Sequence, residues 1–332
     1  MIGIFYGTRP EYIKIAPLVK ELKDKGVEHT LFQVQQHGTL LEGCDYDFII
    51  PIFESGSRLN SITISILLYP LPQDLDHVLV QGDTTTAMAV ALNAFNNQIP
   101  VIHLEAGMRT YDNMNPYPEE TNRRIISSVA SIHLCASERE KDNLEKEGHH
   151  GIIEVTGNPS IDNLVGIKTS YGNKVVVTMH RRENHNSLEE WFKSIDGIAA
   201  SSDYEFILPL HPNPNVQRYK DLFEHVKVVD PIPHSEMLDL LANSIAVISD
   251  SGGVSEECSY LNKICLVCRS VTERGQSAYE IVCATPDALV KTWKGLKLEN
   301  GSYLSREGST CPYGDGNAAE KIATILKNVI FS

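Results

Sequence analysis

Basic residues are in short supply in this chain: 29 Lys and Arg stand against 43 Asp and Glu, a formal charge of −14. Unless the basic side chains are gathered locally, that balance repels nucleic acid and anionic membrane, so neither is expected as a partner. Cysteine is sparse and scattered. Among the seven, Cys265-Leu266-Val267-Cys268 has redox or metal spacing, but it lies in an apolar run with no second pair at zinc-site spacing. Buried thiols are expected there, and no metal site. Two phosphate-binding signatures are also missing: no Gly-X-Gly-X-X-Gly follows the first apolar run, and Gly-Lys-Ser/Thr occurs nowhere. The opening Met1-Ile2-Gly3-Ile4-Phe5-Tyr6 enters a polar turn without a basic leader or a long apolar stretch. Neither a signal peptide nor a membrane span is expected, and the cytoplasm is the expected location.

What is present is an ordinary globular composition, 42% hydrophobic and 22% charged over 332 residues, enough for two domains of roughly 160 residues each. Short runs rich in Val, Ile, Leu and Phe at 2–6, 29–34, 77–81, 100–104 and 132–136 alternate with helical patterns, and the rhythm resumes at 174–179, 205–210, 226–229, 245–249 and 263–267. This is the βαβ pattern of two Rossmann-like, doubly wound α/β domains facing a cleft. The crossing is expected between Gly157-Asn158-Pro159 and Ser170-Tyr171-Gly172-Asn173. The expected domains are therefore 1–165 and 166–316, with a last helix over 317–332 returning to the first. The stretch from Cys44 to Leu75 has weak periodicity and defines no clear element.

Three carboxylates fall at or beyond expected strand ends in the first half: Asp83 in Gly82-Asp83-Thr84-Thr85-Thr86, Glu105 in Glu105-Ala106-Gly107-Met108-Arg109-Thr110, and Glu119 in Pro118-Glu119-Glu120. In an open parallel sheet that edge is where ligands bind, so acids gathered there point to proton transfer. After the first strand, Gly7-Thr8-Arg9-Pro10-Glu11 has capping-box spacing between Thr8 and Glu11 and a proline where a helix tolerates it. Arg9 and Lys14, beside that helix start, offer a positive rim to an anion. In the second half, Ser249-Asp250-Ser251-Gly252-Gly253 links a strand to a helix, with the amides of Ser251 and Gly252 expected to face a phosphate. Glu257, one turn further, suits ribose hydroxyls. His180-Arg181-Arg182 and His211 also follow strands, where they can neutralise a departing diphosphate.

Taken together with His211-Pro212-Asn213-Pro214 and Pro312-Tyr313-Gly314-Asp315-Gly316, these motifs come in the order that resembles the non-hydrolysing UDP-N-acetylglucosamine 2-epimerases, over nearly the whole chain. The resemblance implies a glycosyltransferase-B-like fold and a UDP-N-acetylhexosamine substrate. It implies loss of the C2 proton as UDP leaves C1, a bound 2-acetamidoglucal, and re-addition of UDP, with no metal or nicotinamide cofactor. By the same resemblance Asp83, Glu105 and Glu119 are the acid and base group, and His180 is catalytic near the diphosphate. Arg9, Ser251 and Gly252 contact the diphosphate, Glu257 anchors the ribose, and Lys14, Arg182 and His211 line or support the site. UDP and the UDP-sugar are the expected partners, and a homodimer the expected assembly.

Three departures from the family pattern stand out. Gln36-His37 is followed by Gly38 instead of Arg, and Ser65 stands where an arginine is usual, so control by the substrate itself is not expected. Thr272-Glu273-Arg274 is followed by Gly275-Gln276 in place of Pro-Glu, which leaves a modified sugar, such as a 6-deoxy form, open. The alternatives are a hydrolysing epimerase releasing N-acetylmannosamine and UDP, a glycosyltransferase of the same fold, and a UDP-sugar sensor without turnover.

Overall fold

The computed structural model describes residues 1–36, 41–270, 272–274, 277–296, 298 and 310–330. It divides into two compact units, Met1–Asn163 with Tyr313–Ser332, and Leu164–Pro312.

The first unit runs β1 (Ile2–Tyr6), α1 (Arg9–Asp24), β2 (His29–Val34), β3 (Phe48–Ile50), α2 (Arg58–Leu67), β4 (His77–Gln81), α3 (Thr85–Asn96), β5 (Val101–Ala106), α4 (Glu119–Val129), β6 (Ile132–Cys135), α5 (Glu138–Lys146) and β7 (Ile152–Val155). Its sheet is parallel in the order β3-β2-β1-β4-β5-β6-β7. Strands buried on both faces explain the near-continuous apolar runs of β1, β4 and β5. Phe5, Val78 and Val80 face one core with Ile62, Ile66 and Ala91, while Ile4, Leu79 and Leu104 face another with Ile15, Leu18 and Leu22.

The second unit runs β8 (Lys174–Thr178), α6 (Leu188–Ala200), β9 (Glu205–Pro209), α7 (Pro214–Gln217), β10 (Val226–Val229), α8 (His234–Ala242), β11 (Ala246–Ser249), α9 (Gly252–Tyr260), β12 (Ile264–Val267), β13 (Glu280–Val282) and α10 (Pro286–Gly295). Its sheet, also parallel, has the order β10-β9-β8-β11-β12-β13. The last helix, α11 (Ala318–Ile330), belongs to the first unit, where Ile322, Ala323 and Leu326 pack in the core of α1. Both units are thus doubly wound α/β folds, with the strand order reversing between β1 and β4 in one and between β8 and β11 in the other.

Helix starts are set locally. Thr8 caps α1 and Thr84 caps α3, each accepting from the amide three residues on. Lys25 is the C-cap of α1, and Gly26 follows at φ +68°, the left-handed position that stops a helix most easily. Three strands escape the apolar pattern: β3, β7 and β13, each of three or four residues and partly exposed. Six cysteines are buried and Cys311 is half-buried, all as free thiols. Among the described residues no helix is long and apolar enough to cross a membrane.

Candidate active site

In the first unit the chain reverses its strand order between β1 and β4, and the residues leaving those two strands are Gly7-Thr8-Arg9 and Gly82-Asp83. A crevice at the carboxyl end of such a switch point is where open α/β sheets bind ligands. Asp83 lies two residues beyond β4, after Gly82 at φ +69°. The turn is held from below by His103, whose Nε2 donates to the Gly82 carbonyl at 2.8 Å. Burial pushes that imidazole down to about 3, so it stays neutral and serves as a fixed donor.

Glu105 differs from expectation. It lies inside β5 rather than beyond it, at φ +66°, where the register with β6 shifts between Leu104 and Ala106. A bulge of this kind re-aims a side chain. The carboxylate accepts from Gln81 Nε2, and Lys14 Nζ sits 2.8 and 2.6 Å from its two oxygens, with Asn158 Nδ2 at 3.4 Å. A Cβ on Gly82 would lie 3.4 Å from Glu105 Oε2, which puts this acid beside the Asp83 turn. Glu119 is the first residue of α4, and the same helix holds Asp83: Asn122 Nδ2 donates to the Asp83 carbonyl at 2.8 Å, and Arg123 pairs with its carboxylate at 2.8 Å. Glu105 therefore lies beside the Asp83 turn at the exits of β4 and β5, and Glu119 opens the helix whose next residues hold Asp83. Arg9 is exposed at the start of α1.

The capping box at this edge reaches one residue further than its spacing suggests. Glu11 is buried, and its carboxylate accepts from the Gly7 amide at 3.0 Å and from Thr84 Oγ1 at 2.7 Å, joining the loops after β1 and β4. Burial lifts its carboxyl to about 7 against these stabilising contacts.

In the second unit the switch point falls between the exits of β8 and β11. The buried Asp250 joins them, accepting from the amides of His180 at 3.0 Å and Arg181 at 3.0 Å and from Asn184 Nδ2 at 3.1 Å. His180 and His211, from neighbouring strand ends, stack with ring centres 4.7 Å apart. Desolvation holds the His180 imidazole below its usual range, with Asp250 opposing the shift, and His211 Nδ1 accepts from the Asn213 amide at 3.1 Å. Arg182 opens a short 3-10 turn over Arg182–Asn184, and its side chain lies outside the described set.

Ser251 is the N-cap of α9, and Gly252 its first residue. One expectation changes here: the Ser251 amide is turned inward, donating to Ser249 Oγ at 3.0 Å, because the hydroxyl at the strand end caps the turn itself. The glycine has a steric reason. A Cβ at Gly252 would lie 2.6 Å from Arg274 Cζ, and Arg274 is gripped by Glu256 and Glu273. Glu257, expected at a ribose, is buried and engages His234 Nε2 at 3.1 Å. Gly38, Gly275 and Gln276, the departures from the pattern the sequence resembles, lie outside the described residues. Ser65 is buried in α2 and accepts from the Phe53 amide at 2.7 Å.

A protein-family model described as UDP-N-acetylglucosamine 2-epimerase matches residues 56–327. The chain belongs to that family. It is similar to a UDP-N-acetylglucosamine 2-epimerase of Campylobacter jejuni, 34% identical over 373 residues that cover 98% of this chain and 97% of the relative. Among solved structures it is similar to the UDP-GlcNAc 2-epimerase of Neisseria meningitidis bound to UDP-GlcNAc, with a TM-score of 0.88, 32% identity and coverage of 98% and 99% of the two chains. The enzyme of Methanocaldococcus jannaschii in complex with UDP-GlcNAc and UDP matches with a TM-score of 0.84 and 26% identity, covering 98% of this chain and 99% of that one. As a 2-epimerase family member this chain is an isomerase, and the shared fold is the two-unit α/β arrangement described above.

Side chains the motifs did not single out hold these residues within each unit. Gln81 and Asn158 hold Glu105, and Asn122 and Arg123 hold Asp83, in the first; Asp250 holds the His180 turn in the second. Arg123 carried a readable signal, an Arg three residues after Glu120 on a helix, but that spacing ordinarily marks a surface ion pair.

Proposed function

We propose that the chain inverts C2 of a UDP-N-acetylhexosamine without hydrolysis. A base among Asp83, Glu105 and Glu119 removes the C2 proton. The C–H electrons become the second C1–C2 bond as the C1–O bond breaks, and UDP leaves with the C1–O pair. A protonated acid of the same group returns a proton to the opposite face of C2 while the UDP oxygen re-forms its bond to C1. C2 of an N-acetyl sugar is a weak acid, so proton removal has to be concerted with stabilisation of the leaving diphosphate. Arg9, the start of α9 at Ser251 and Gly252, and the stacked pair His180 and His211 are assigned to that task, with Arg182 supporting them. Glu257 is assigned to the ribose, and Lys14 to holding Glu105.

The observation that carries this reading is the pair Asp83 and Glu105 side by side at one sheet edge, each held directly by a cation, Arg123 and Lys14, with Glu119 opening the helix that carries Arg123. Three placed carboxylates exceed what a glycosyltransferase needs for one acceptor hydroxyl, and their presence argues against a sensor without turnover. The substrates named for the Neisseria and Methanocaldococcus enzymes support UDP-N-acetylglucosamine as the first compound to try. Incubation with a panel of UDP-N-acetylhexosamines, 6-deoxy forms included, followed by proton NMR, is expected to give an equilibrium of C2 epimers still linked to UDP. Accumulation of free sugar and UDP would favour the hydrolysing reaction, and inert mixtures would favour a sensor.

A homodimer is part of the same reading, supported by Ile64, Leu67 and Phe95, exposed apolar side chains on the packed pair α2 and α3, and by Leu68 at the C-cap of α2. Light scattering on the purified chain tests it against a monomer. The free buried thiols suit a reducing compartment, and the cytoplasm is the assigned location.

A further inference from the structure

The geometry points to Arg123 as a positioning residue for Asp83, with Glu120 as its counter-anchor; the inference rests on the epimerase reading for the reaction it serves. Arg123 is 3% exposed and lies one turn into α4 from Glu119. Its guanidinium is used on two edges. Nε and Nη2 each approach Asp83 Oδ2 at 2.8 Å, and Nη1 donates to Glu120 Oε2 at 2.9 Å. Glu120, fully buried, also accepts from the amides of Thr110 at 3.0 Å and Tyr111 at 3.1 Å. The neighbouring Asn122 fixes the Asp83 carbonyl. Backbone and side chain of Asp83 are thus both tied to the helix that begins with Glu119.

A structural role alone accounts for only half of this arrangement. The buried Glu120 needs a cation, because an uncompensated carboxylate in that place is costly. The Asp83 side chain is 29% exposed and open to solvation by water, so stability does not demand that an Arg edge be spent on it. Using that edge instead pins Oδ2 between two guanidinium nitrogens, a fixed fork that an ammonium does not supply. An acid or base that must meet one C–H bond gains from such restraint, since a misplacement of about 1 Å can cost roughly a hundredfold in rate. One helix therefore sets the position of Glu119 and of Asp83 relative to each other.

Arg123→Lys tests the inference, because a single ammonium cannot serve both edges. Turnover of UDP-N-acetylglucosamine would be followed as C2 inversion and as UDP release, so a wild type that hydrolyses instead of epimerising still reports on Arg123 while refuting the non-hydrolysing reading. The expected result is a kcat lower by about tenfold to a hundredfold, with the Kd for UDP within about twofold of wild type. If Arg123→Lys does not fold, the pair Arg123→Gln and Glu120→Gln removes both buried charges together and is expected to lose turnover likewise. A crystal structure of the folded variant supplies a readout independent of the reaction: the Asp83 carboxylate is expected to leave its present orientation. Unchanged kcat in a folded variant, or an Asp83 carboxylate that stays in place, would overturn the inference.

Discussion

Lys14 and Glu105 meet from elements ninety-one residues apart, the ammonium lying 2.8 and 2.6 Å from the two carboxylate oxygens. The helix following β1 thereby supplies the countercharge for an acid on a bulge of β5. Both side chains are largely buried, at 17% and 6% exposure, so removing one strands the other.

Lys14→Met is therefore expected to lower the unfolding free energy by about 3 kcal/mol and to reduce turnover. Adding Glu105→Gln should restore most of the stability and none of the activity. Urea unfolding of the single and double variants checks this, and a double variant as unstable as the single one would remove the pair from the explanation.

Glu11 carries a stability prediction with a sign. Burial raises its carboxyl from 4.5 to about 7, so between those values the folded chain binds a proton that the unfolded chain has released. Stability at this site is highest below about pH 4.5 and falls as pH rises to 7, by an amount on the order of 3 kcal/mol. Glu11→Gln reproduces the protonated acid toward Gly7 and Thr84 and should flatten that slope. Unfolding free energies at pH 5 and pH 8 measure it, and an unchanged slope would contradict the assignment.

Ser251→Asp separates binding from folding. The serine makes no side-chain cap bond to α9, and Asp is at least as good an N-cap, so stability should hold or rise. The new charge opposes an anion at the helix start, and UDP binding measured by calorimetry should weaken by roughly tenfold or more, on the order of 1.4 kcal/mol. Unaltered UDP affinity would move the diphosphate elsewhere.

Gly252→Ala should disturb the same turn by contact alone. Its Cβ meets Arg274, which Glu256 and Glu273 hold in place, at a cost of roughly 1–3 kcal/mol for an overpacked site. Thermal unfolding and UDP affinity should both decline. An alanine variant as stable as wild type would show that Arg274 yields.

The sheets were legible because strands buried on both faces carry unbroken apolar runs. The stretch from Cys44 to Leu75 was not, and its chemistry explains why. In β3, Phe48 and Ile49 are exposed at the sheet edge, so they give no inside-outside contrast. In α2, Ser61 and Ser65 occupy the buried face and interrupt its apolar stripe, serving instead as acceptors for the amides of Ser55 and Phe53. The acids were visible as residue types after strands, but the left-handed bulge that turns Glu105 inward has no composition signature. The partnership of Glu257 with His234, on another helix, depends on packing that no local pattern encodes. The Arg123 fork likewise looks like an ordinary helical pair until Asp83 is brought beside it.

Transfer of the C2 proton by these acids while UDP departs and returns is tested most directly by turnover of UDP-N-acetylglucosamine in deuterated buffer, read by NMR and mass spectrometry on the recovered sugar nucleotides. Deuterium at C2 of the epimer, with UDP still attached, is the expected result. A product that retains protium at C2, or free UDP rising in step with the released sugar, would contradict it.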